Sequence, residues 1–131
     1  MEGRRLAKPA AELVAVFDSV LPDDPRVLRK PMFGMPAAFV GGNLFTGLFE
    51  DSMMVRLAPE KREQLLALPG AQPFAPMAGR PMKEYVVVPA TIITDREALR
   101  AWVEAAFEYG ASLPDKSGGK TKPGSGGSRK P

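Results

Sequence analysis

The sequence contains neither cysteine nor histidine. Without cysteine the chain can form no disulfide, no thiolate nucleophile and no zinc–thiolate site. Without histidine it lacks the commonest general acid/base and the commonest transition-metal ligand. A Ser-His-Asp or Cys-His mechanism within one chain is therefore excluded. We expect a protein that is not an enzyme, with no catalytic residue, no bound metal and no cofactor.

Long apolar runs are also missing. No segment approaches the ~20 apolar residues that a membrane-spanning helix needs. At the N-terminus, Lys8, Pro9 and Glu12 interrupt what would have to be the apolar core of a signal peptide. We therefore expect a cytoplasmic protein that does not contact the membrane.

The positive charge is concentrated at the C-terminal end. Residues Asp115–Pro131 carry five basic side chains and one acidic one, a net +4, and since the whole chain carries +3, residues Met1–Pro114 carry −1. The tail is rich in Gly, Ser, Lys and Pro, a composition typical of disorder. We predict one domain over residues 1–114 and a disordered basic tail over residues 115–131. Such a tail can bind nucleic acid weakly and without sequence preference, or serve only to keep the protein soluble.

Three stretches of the chain show helix signals. Residues Pro9–Leu21 have apolar side chains at helical spacing. Residues Pro59–Leu68 begin with a proline at the first helical position. The last helix is predicted to begin at Thr94 as its N-cap, with Glu97 three residues later completing a capping box.

The strongest strand signals lie between Pro31 and Leu57. Gly41-Gly42 separates two apolar runs and predicts a two-residue hairpin turn, because both turn positions need a positive φ. The segment Ala71–Pro81 contains three prolines and a glycine and is predicted to be an irregular loop. The predicted strands are Arg26–Phe33, Ala37–Val40, Asn43–Phe49, Ser52–Leu57 and Met82–Val88.

These elements follow the order α-β-β-β-β-α-β-α. Runs of strands interrupted by a few helices predict an α+β domain with two layers, in which an antiparallel β-sheet is covered by helices. An apolar content of 44% in 131 residues is enough for one packed core.

Five basic residues from three segments are the best candidates for a site that binds an anion or a protein partner: Arg29, Lys30, Arg56, Arg80 and Lys83. An anionic small molecule is one alternative ligand. No glycine-rich phosphate loop accompanies these residues, which favours the simpler interpretation that they are solvated strand ends.

Two other residue types are interpreted as structural. Six methionines fall in the strand-rich part of the chain and can line an adaptable binding surface, but core packing is the favoured interpretation; they are Met32, Met35, Met53, Met54, Met77 and Met82. Met53 and Met54 are neighbours in a strand and should point to opposite faces, which predicts that one of them is exposed. The acidic residues have the chemistry for metal binding or acid/base catalysis, but turns, helix starts and solvent faces explain them more simply.

Several short segments together resemble a known family. In chain order they are Arg29-Lys30-Pro31-Met32-Phe33-Gly34, Gly42-Asn43-Leu44-Phe45, Arg56-Leu57, Pro76-Met77 with Arg80-Pro81-Met82, Tyr85, Val88-Pro89 and Leu99–Trp102. The ordered set resembles the TfoX N-terminal domain family, named for the bacterial regulator of competence for DNA uptake that is also called Sxy. The resemblance extends over residues 14–113.

This resemblance implies a two-layer fold similar to that of secretion chaperones, and a non-enzymatic role in the transcriptional control of competence genes. In the full-length regulator this domain precedes a domain of helix-hairpin-helix type and acts with the cyclic-AMP receptor protein. The residues after Leu113 are too few and too polar to form that second domain, so the regulator's whole activity does not carry over. The resemblance implies a small regulatory or adaptor protein, a monomer or a homodimer, whose partner is a protein of the transcription machinery.

Overall fold

The fold is described from a computed structural model that covers residues 8–77 and 80–116. The N-terminal lead-in over residues 1–7 and residues 117–131 of the tail predicted over 115–131 lie outside the described residues. The elements in chain order are α1 (Ala11–Val20), β1 (Val27–Met32), β2 (Met35–Val40), β3 (Asn43–Phe49), β4 (Ser52–Arg56), α2 (Pro59–Leu66), β5 (Gln72–Met77), β6 (Arg80–Val87), α3 (Ala90–Ile93) and α4 (Arg96–Ser112). None of the helices in this part of the chain is both long and apolar enough to cross a membrane.

The predicted α+β fold class is confirmed. Six strands form one sheet in the order β1-β2-β3-β4-β6-β5, and every neighbouring pair is antiparallel. The predicted hairpin at Gly41-Gly42 is also confirmed, since the two glycines have φ values of 58° and 77° and join β2 to β3.

Three local predictions are wrong. The segment predicted to be an irregular loop contains β5, which tolerates its prolines because it is an edge strand. The strand predicted over Ala37–Val40 begins two residues earlier, because the turn that precedes it lies at Phe33-Gly34 and Met35 and Pro36 belong to β2. The last helix begins one residue later than predicted: Asp95 is its N-cap and accepts a hydrogen bond from the N–H of Ala98, whereas Thr94 ends the short helix α3.

The main core lies between the sheet and the helices. It contains Phe17 of α1, Leu65 of α2 and Val103 of α4, all fully buried against strand residues. The partly buried Ile92 and Ile93 of α3 pack against the same core. All four helices therefore cover one face of the sheet.

A second cluster of buried residues lies on the other face and consists of strand residues only. Its buried members are Ala37, Leu44, Met54, Phe74 and Tyr85, and half-buried Met32, Phe39, Phe49, Met82 and Val87 pack against it. We call this side of the sheet the strand-only face.

The strand-only face is curled. The rings of Phe49 on β3 and Phe74 on β5 lie 5.5 Å apart between their centroids, although these strands are three positions apart in the sheet. In a flat sheet the separation would be roughly 14 Å, since neighbouring strands lie about 4.8 Å apart. The strand-only face is therefore concave, and its curvature brings the β5 edge towards β3.

Neither edge of the sheet is a good template for an added strand. Along β1, the backbone N–H and C=O groups point alternately toward β2 and toward the open edge of the sheet. The residues whose groups point to the open edge are Val27, Arg29 and Pro31. The N–H of Val27 is already donated to the carbonyl oxygen of Asp24 at 3.0 Å, and Pro31 has no N–H. Arg29 is thus the one outward donor left on β1, and the other edge strand, β5, contains Pro73.

A buried asparagine fastens the end of α4 to the β2–β3 turn. The side-chain N–H groups of Asn43, a residue that is 2% exposed, point at the carbonyl oxygens of Gly41, Gly110 and Pro114 at 3.4, 3.5 and 3.0 Å. The backbone N–H of Lys116 donates to the carbonyl of Gly41 at 2.6 Å. The end of the described chain, at residue 116, therefore lies beside this turn.

Candidate functional site

The fold distributes the five basic residues proposed from the sequence over both halves of the sheet. Arg29 and Lys30 lie on the edge strand β1, whereas Arg56 ends β4 and Lys83 lies exposed on β6. Arg80 is the first residue of β6, and its side chain is outside the described part of the structure. The strands β1 and β4 are three positions apart in the sheet, so these residues belong to two different surroundings.

Arg29 is used within the fold. Its Nε donates to Oδ1 of Asp18 at 2.6 Å and its second guanidinium nitrogen to Oδ2 at 3.3 Å, which ties β1 to α1. Both side chains are nearly half exposed, at 43% and 46%, so solvent screens the pair and it contributes little to stability. The charge of Arg29 faces the helix-covered side of the sheet.

Arg56 lies in a second internal cluster, at the end of β4. Its guanidinium donates to Oε1 of Glu84 at 2.6 Å and lies 5.5 and 5.8 Å from the ring centroids of Tyr85 and Tyr109. The hydroxyl of Tyr109 donates to the other carboxylate oxygen of Glu84 at 3.2 Å. This arrangement joins α4 to β6 and leaves the Arg56 side chain 16% exposed.

The electrostatics of this cluster keep Glu84 ionised. Burial alone would raise the pKa of Glu84, but the hydrogen bonds and charge of Arg56, helped by the Tyr109 hydroxyl and the charge of Arg62, hold that pKa below its usual value. Burial raises the pKa of Tyr109, and the negative charge of Glu84 adds to this effect. Arg56 therefore faces a carboxylate of its own chain.

Lys30 has different surroundings. Its side chain is exposed, and Nζ lies 4.8 Å from the centroid of the Phe39 ring. Within the part of the chain that the structure describes, no carboxylate pairs with Lys30. Leu28 and Met32 share its side of β1 because strand residues two apart point the same way, and Met32 packs against the strand-only cluster. Lys30 therefore projects from the strand-only face.

Two large apolar side chains beside Lys30 are exposed to solvent. Leu28 is 54% exposed and Phe33 is 51% exposed. Leu28 lies directly opposite Phe39 in the β1–β2 register. We define the hairpin patch as Leu28, Lys30, Phe33 and Phe39. It lies on the β1–β2 hairpin, at the edge of the sheet opposite β5.

Phe33 also has an unfavourable backbone conformation. Its φ is +58° in the turn between β1 and β2, a position where Asn, Asp or Gly is preferred. A bulky residue with positive φ costs about 1–2 kcal/mol relative to an ordinary conformation. Its ring packs edge-on against Phe49 with 5.6 Å between centroids, which begins an aromatic row that continues through Phe74 to Tyr85. A strained and exposed phenylalanine is the kind of outlier that points to function.

Five of the six methionines have side chains within the described part of the structure, and all five are buried or half-buried, as core packing predicts; the side chain of Met77 lies outside it. Met53 and Met54 do point to opposite faces, but the expectation that one is exposed is wrong, since both are buried. Met54 is covered because the sheet curls over it. Among residues 8–77 and 80–116, no three acidic side chains come together as a metal site.

Three of the clefts on the molecule are open and shallow. One of about 350 Å³ lies beside Arg26, Gly41 and Asp115, and two of about 230 and 340 Å³ share Ser52, Gln72 and Val87 at the opposite end of the sheet. None of these three is lined by any of the five basic candidates. They offer no concentration of positive charge to an anionic small molecule.

Sequence reasoning found Lys30 but missed the apolar part of the hairpin patch. The available signal was Phe33-Gly34 between two strand patterns, where a phenylalanine occupies a turn position that needs positive φ. Tyr109 was also missed, because nothing in its local sequence indicates contact with Glu84.

A family model confirms the resemblance that the sequence motifs indicate. The TfoX N-terminal domain matches residues 20–109, which is most of the described structure from the end of α1 to the last turns of α4. The α+β domain described above is therefore a domain of the TfoX N-terminal class. The chain is a member of the TfoX N-terminal domain family. A search of curated proteins finds no match.

Proposed function

We propose that this protein is a non-enzymatic regulatory or adaptor protein that acts in transcriptional control by binding another protein. Membership of the TfoX N-terminal domain family supports a regulatory role. The absence of histidine and cysteine removes the commonest catalytic side chains. The hairpin patch carries the proposal, since Leu28 and Phe33 are the exposed large apolar side chains among the described residues, and exposed apolar patches mark interaction sites.

The first experiment is affinity purification from native cells after chemical crosslinking. The expected result is a specific protein recovered with the wild type and lost with Phe33→Asn. This variant should remain folded, because asparagine tolerates positive φ and relief of the backbone strain offsets the lost contact with Phe49. Lys61→Gln on the exposed side of α2 is the control. Recovery of the protein alone, or of the same proteins with and without Phe33, contradicts the proposal.

A second candidate function rests on the charge of the tail. Residues 115–131 carry a net +4, which favours weak, salt-sensitive contact with nucleic acid phosphates. Replacing Lys120, Lys122, Arg129 and Lys130 by glutamine in the full chain should abolish DNA retention in a low-salt shift assay. Equal retention before and after this change excludes the tail as the binding element.

A further inference from the structure

We propose that the hairpin patch binds an acidic amphipathic segment of a partner protein, with the acidic residues of that segment at its Leu28 end. This inference rests on the proposed function and adds the chemistry and orientation of the partner. It follows from the edge of the sheet, from the dimensions of the patch and from the distribution of charge around it.

The edge of the sheet determines the mode of contact. A partner strand cannot extend the sheet at β1 over several residues, because Pro31 has no N–H and the N–H of Val27 is already donated to Asp24. A partner must therefore dock through side chains on Leu28, Phe33 and Phe39. A segment with one apolar side matches this requirement.

The dimensions of the patch fit a short helix. Leu28 and Phe33 are five residues apart along the β1–β2 hairpin, which corresponds to roughly 16 Å in extended chain. A helix of about 11 residues has the same length. Its apolar stripe can contact both exposed side chains at once.

Charge distinguishes the two ends of the patch. Lys30 lies over Phe39 without a carboxylate partner in the described chain, and Leu28 is beside it. Lys30 is two residues from Leu28 on the same side of β1, so the positive charge of the patch lies at its Leu28 end.

The other end of the patch borders an acidic residue. Phe33 packs against Phe49, and Asp51 lies exposed in the β3–β4 turn that follows. A partner segment with acidic residues at both ends would meet a like charge here. This asymmetry predicts the orientation of the bound segment.

A protein segment fits these features better than nucleic acid. Nucleic acid binding usually needs several cations along the phosphate backbone, whereas the patch itself has Lys30 alone between exposed apolar side chains. Residues 1–114 carry a net −1. Oligonucleotide binding is nevertheless included as an outcome of the test.

The test uses the full chain and a synthetic helical peptide of about 14 residues. Leucines at helical spacing form one side of the peptide, and glutamates occupy the polar positions of its first half only. Three controls have the same length: one with lysine for glutamate, one with the leucine order scrambled, and one with the glutamates moved to the second half. Binding is measured by fluorescence anisotropy, and its location by amide chemical shifts.

The expected result is saturable binding of the acidic peptide with shifts at Leu28, Lys30 and Phe33. Lys30→Gln should weaken binding by about twofold to fivefold, the effect of one exposed ion pair, and Leu28→Ser by more, while the control Lys61→Gln changes nothing. Moving the glutamates should reverse the contacts of a spin label on the peptide. The inference is overturned if the acidic peptide does not bind at millimolar concentration, or if the lysine or scrambled peptide binds equally well. It is also overturned if the chemical shift changes lie outside the patch, or if an oligothymidine binds these residues more tightly than the peptide does. In that event, the proposed function still holds if the wild type recovers a specific partner from cells and Phe33→Asn does not.

Discussion

The substitution Gly110→Ala tests whether α4 packs as closely on the sheet as the structure shows. A Cβ atom at Gly110 would lie 2.9 Å from Cγ1 of Val40 and 3.2 Å from Cβ of Phe45. The optimal separation of two carbon atoms is about 3.5–4.0 Å, so the neighbours must move. Both neighbours are buried, at 3% and 0% exposure. Overpacking of this kind costs about 1–3 kcal/mol.

Helix propensity acts in the opposite direction. Alanine is favoured over glycine in a helix interior by up to about 1 kcal/mol, so a loosely packed site would be stabilised by this change. We expect a net loss of about 1–2 kcal/mol in the free energy of unfolding because the clash outweighs that gain. Urea denaturation followed by circular dichroism measures it. Ala111→Gly, at the exposed neighbouring position, measures the propensity effect alone.

The sign of the change in the free energy of unfolding shows whether the clash or the helix propensity is the larger effect. A double-mutant cycle with Val40→Ala, which removes the closest atom, should recover part of the loss from Gly110→Ala. If Gly110→Ala stabilises the protein, or if the cycle shows no coupling between positions 40 and 110, the close approach of α4 to β2 is refuted.

Three further predictions concern polar groups that are buried or half-buried. Glu84→Gln should destabilise the protein at pH 7 but much less in acid, because Arg56 lowers the pKa of Glu84 in the folded state. The stability that Glu84 contributes is present above its unfolded pKa of about 4.5 and is lost as the pH falls through its folded pKa. A difference in the free energy of unfolding between wild type and variant that stays the same from pH 7 to pH 3 would contradict this. Tyr85→Phe should cost about 0.5–1.5 kcal/mol because it removes the hydrogen bond from the Tyr85 hydroxyl to the Leu44 carbonyl at 3.1 Å, and an unchanged midpoint in urea would exclude that bond. Asn43→Ala should cost about 1–3 kcal/mol and speed hydrogen exchange at the Lys116 amide, whereas unaltered exchange would separate Asn43 from the C-terminal anchor.

The spacing of apolar residues and the residues typical of turns were sufficient to predict most of the fold. The apolar spacing in α1 and α4 and the paired glycines between β2 and β3 are local signals that the tertiary structure does not override. The strand β5 could not be predicted, because proline normally indicates a break and becomes acceptable in a strand only at a sheet edge. Thr94 and Asp95 can both cap a helix. Thr94 is taken up as the C-cap of the short helix α3, and no sequence pattern predicts that helix.

The functional surface was less accessible from the sequence. Five cations could be named from charge and position, but their surroundings depend on distant residues. Arg56 contacts Tyr109 and Glu84, which come from separate segments, while Lys30 keeps an exposed charge because β1 is an edge. The curl of the sheet decides which apolar residues are buried: Met54 lies beneath it, and Leu28 lies outside it. No local pattern encodes that curl.

The attachment of Lys116 to the β2–β3 turn has a consequence for local concentration. The N–H of Lys116 and the side chain of Asn43 hold the end of the described chain against Gly41 and Pro114. Lys120, Lys122, Arg129 and Lys130 are covalently attached at that point, so their concentration near the turn is set by the length of the tether and not by the bulk solution. Releasing the anchor would lengthen the tether and lower that concentration without changing one residue of the tail.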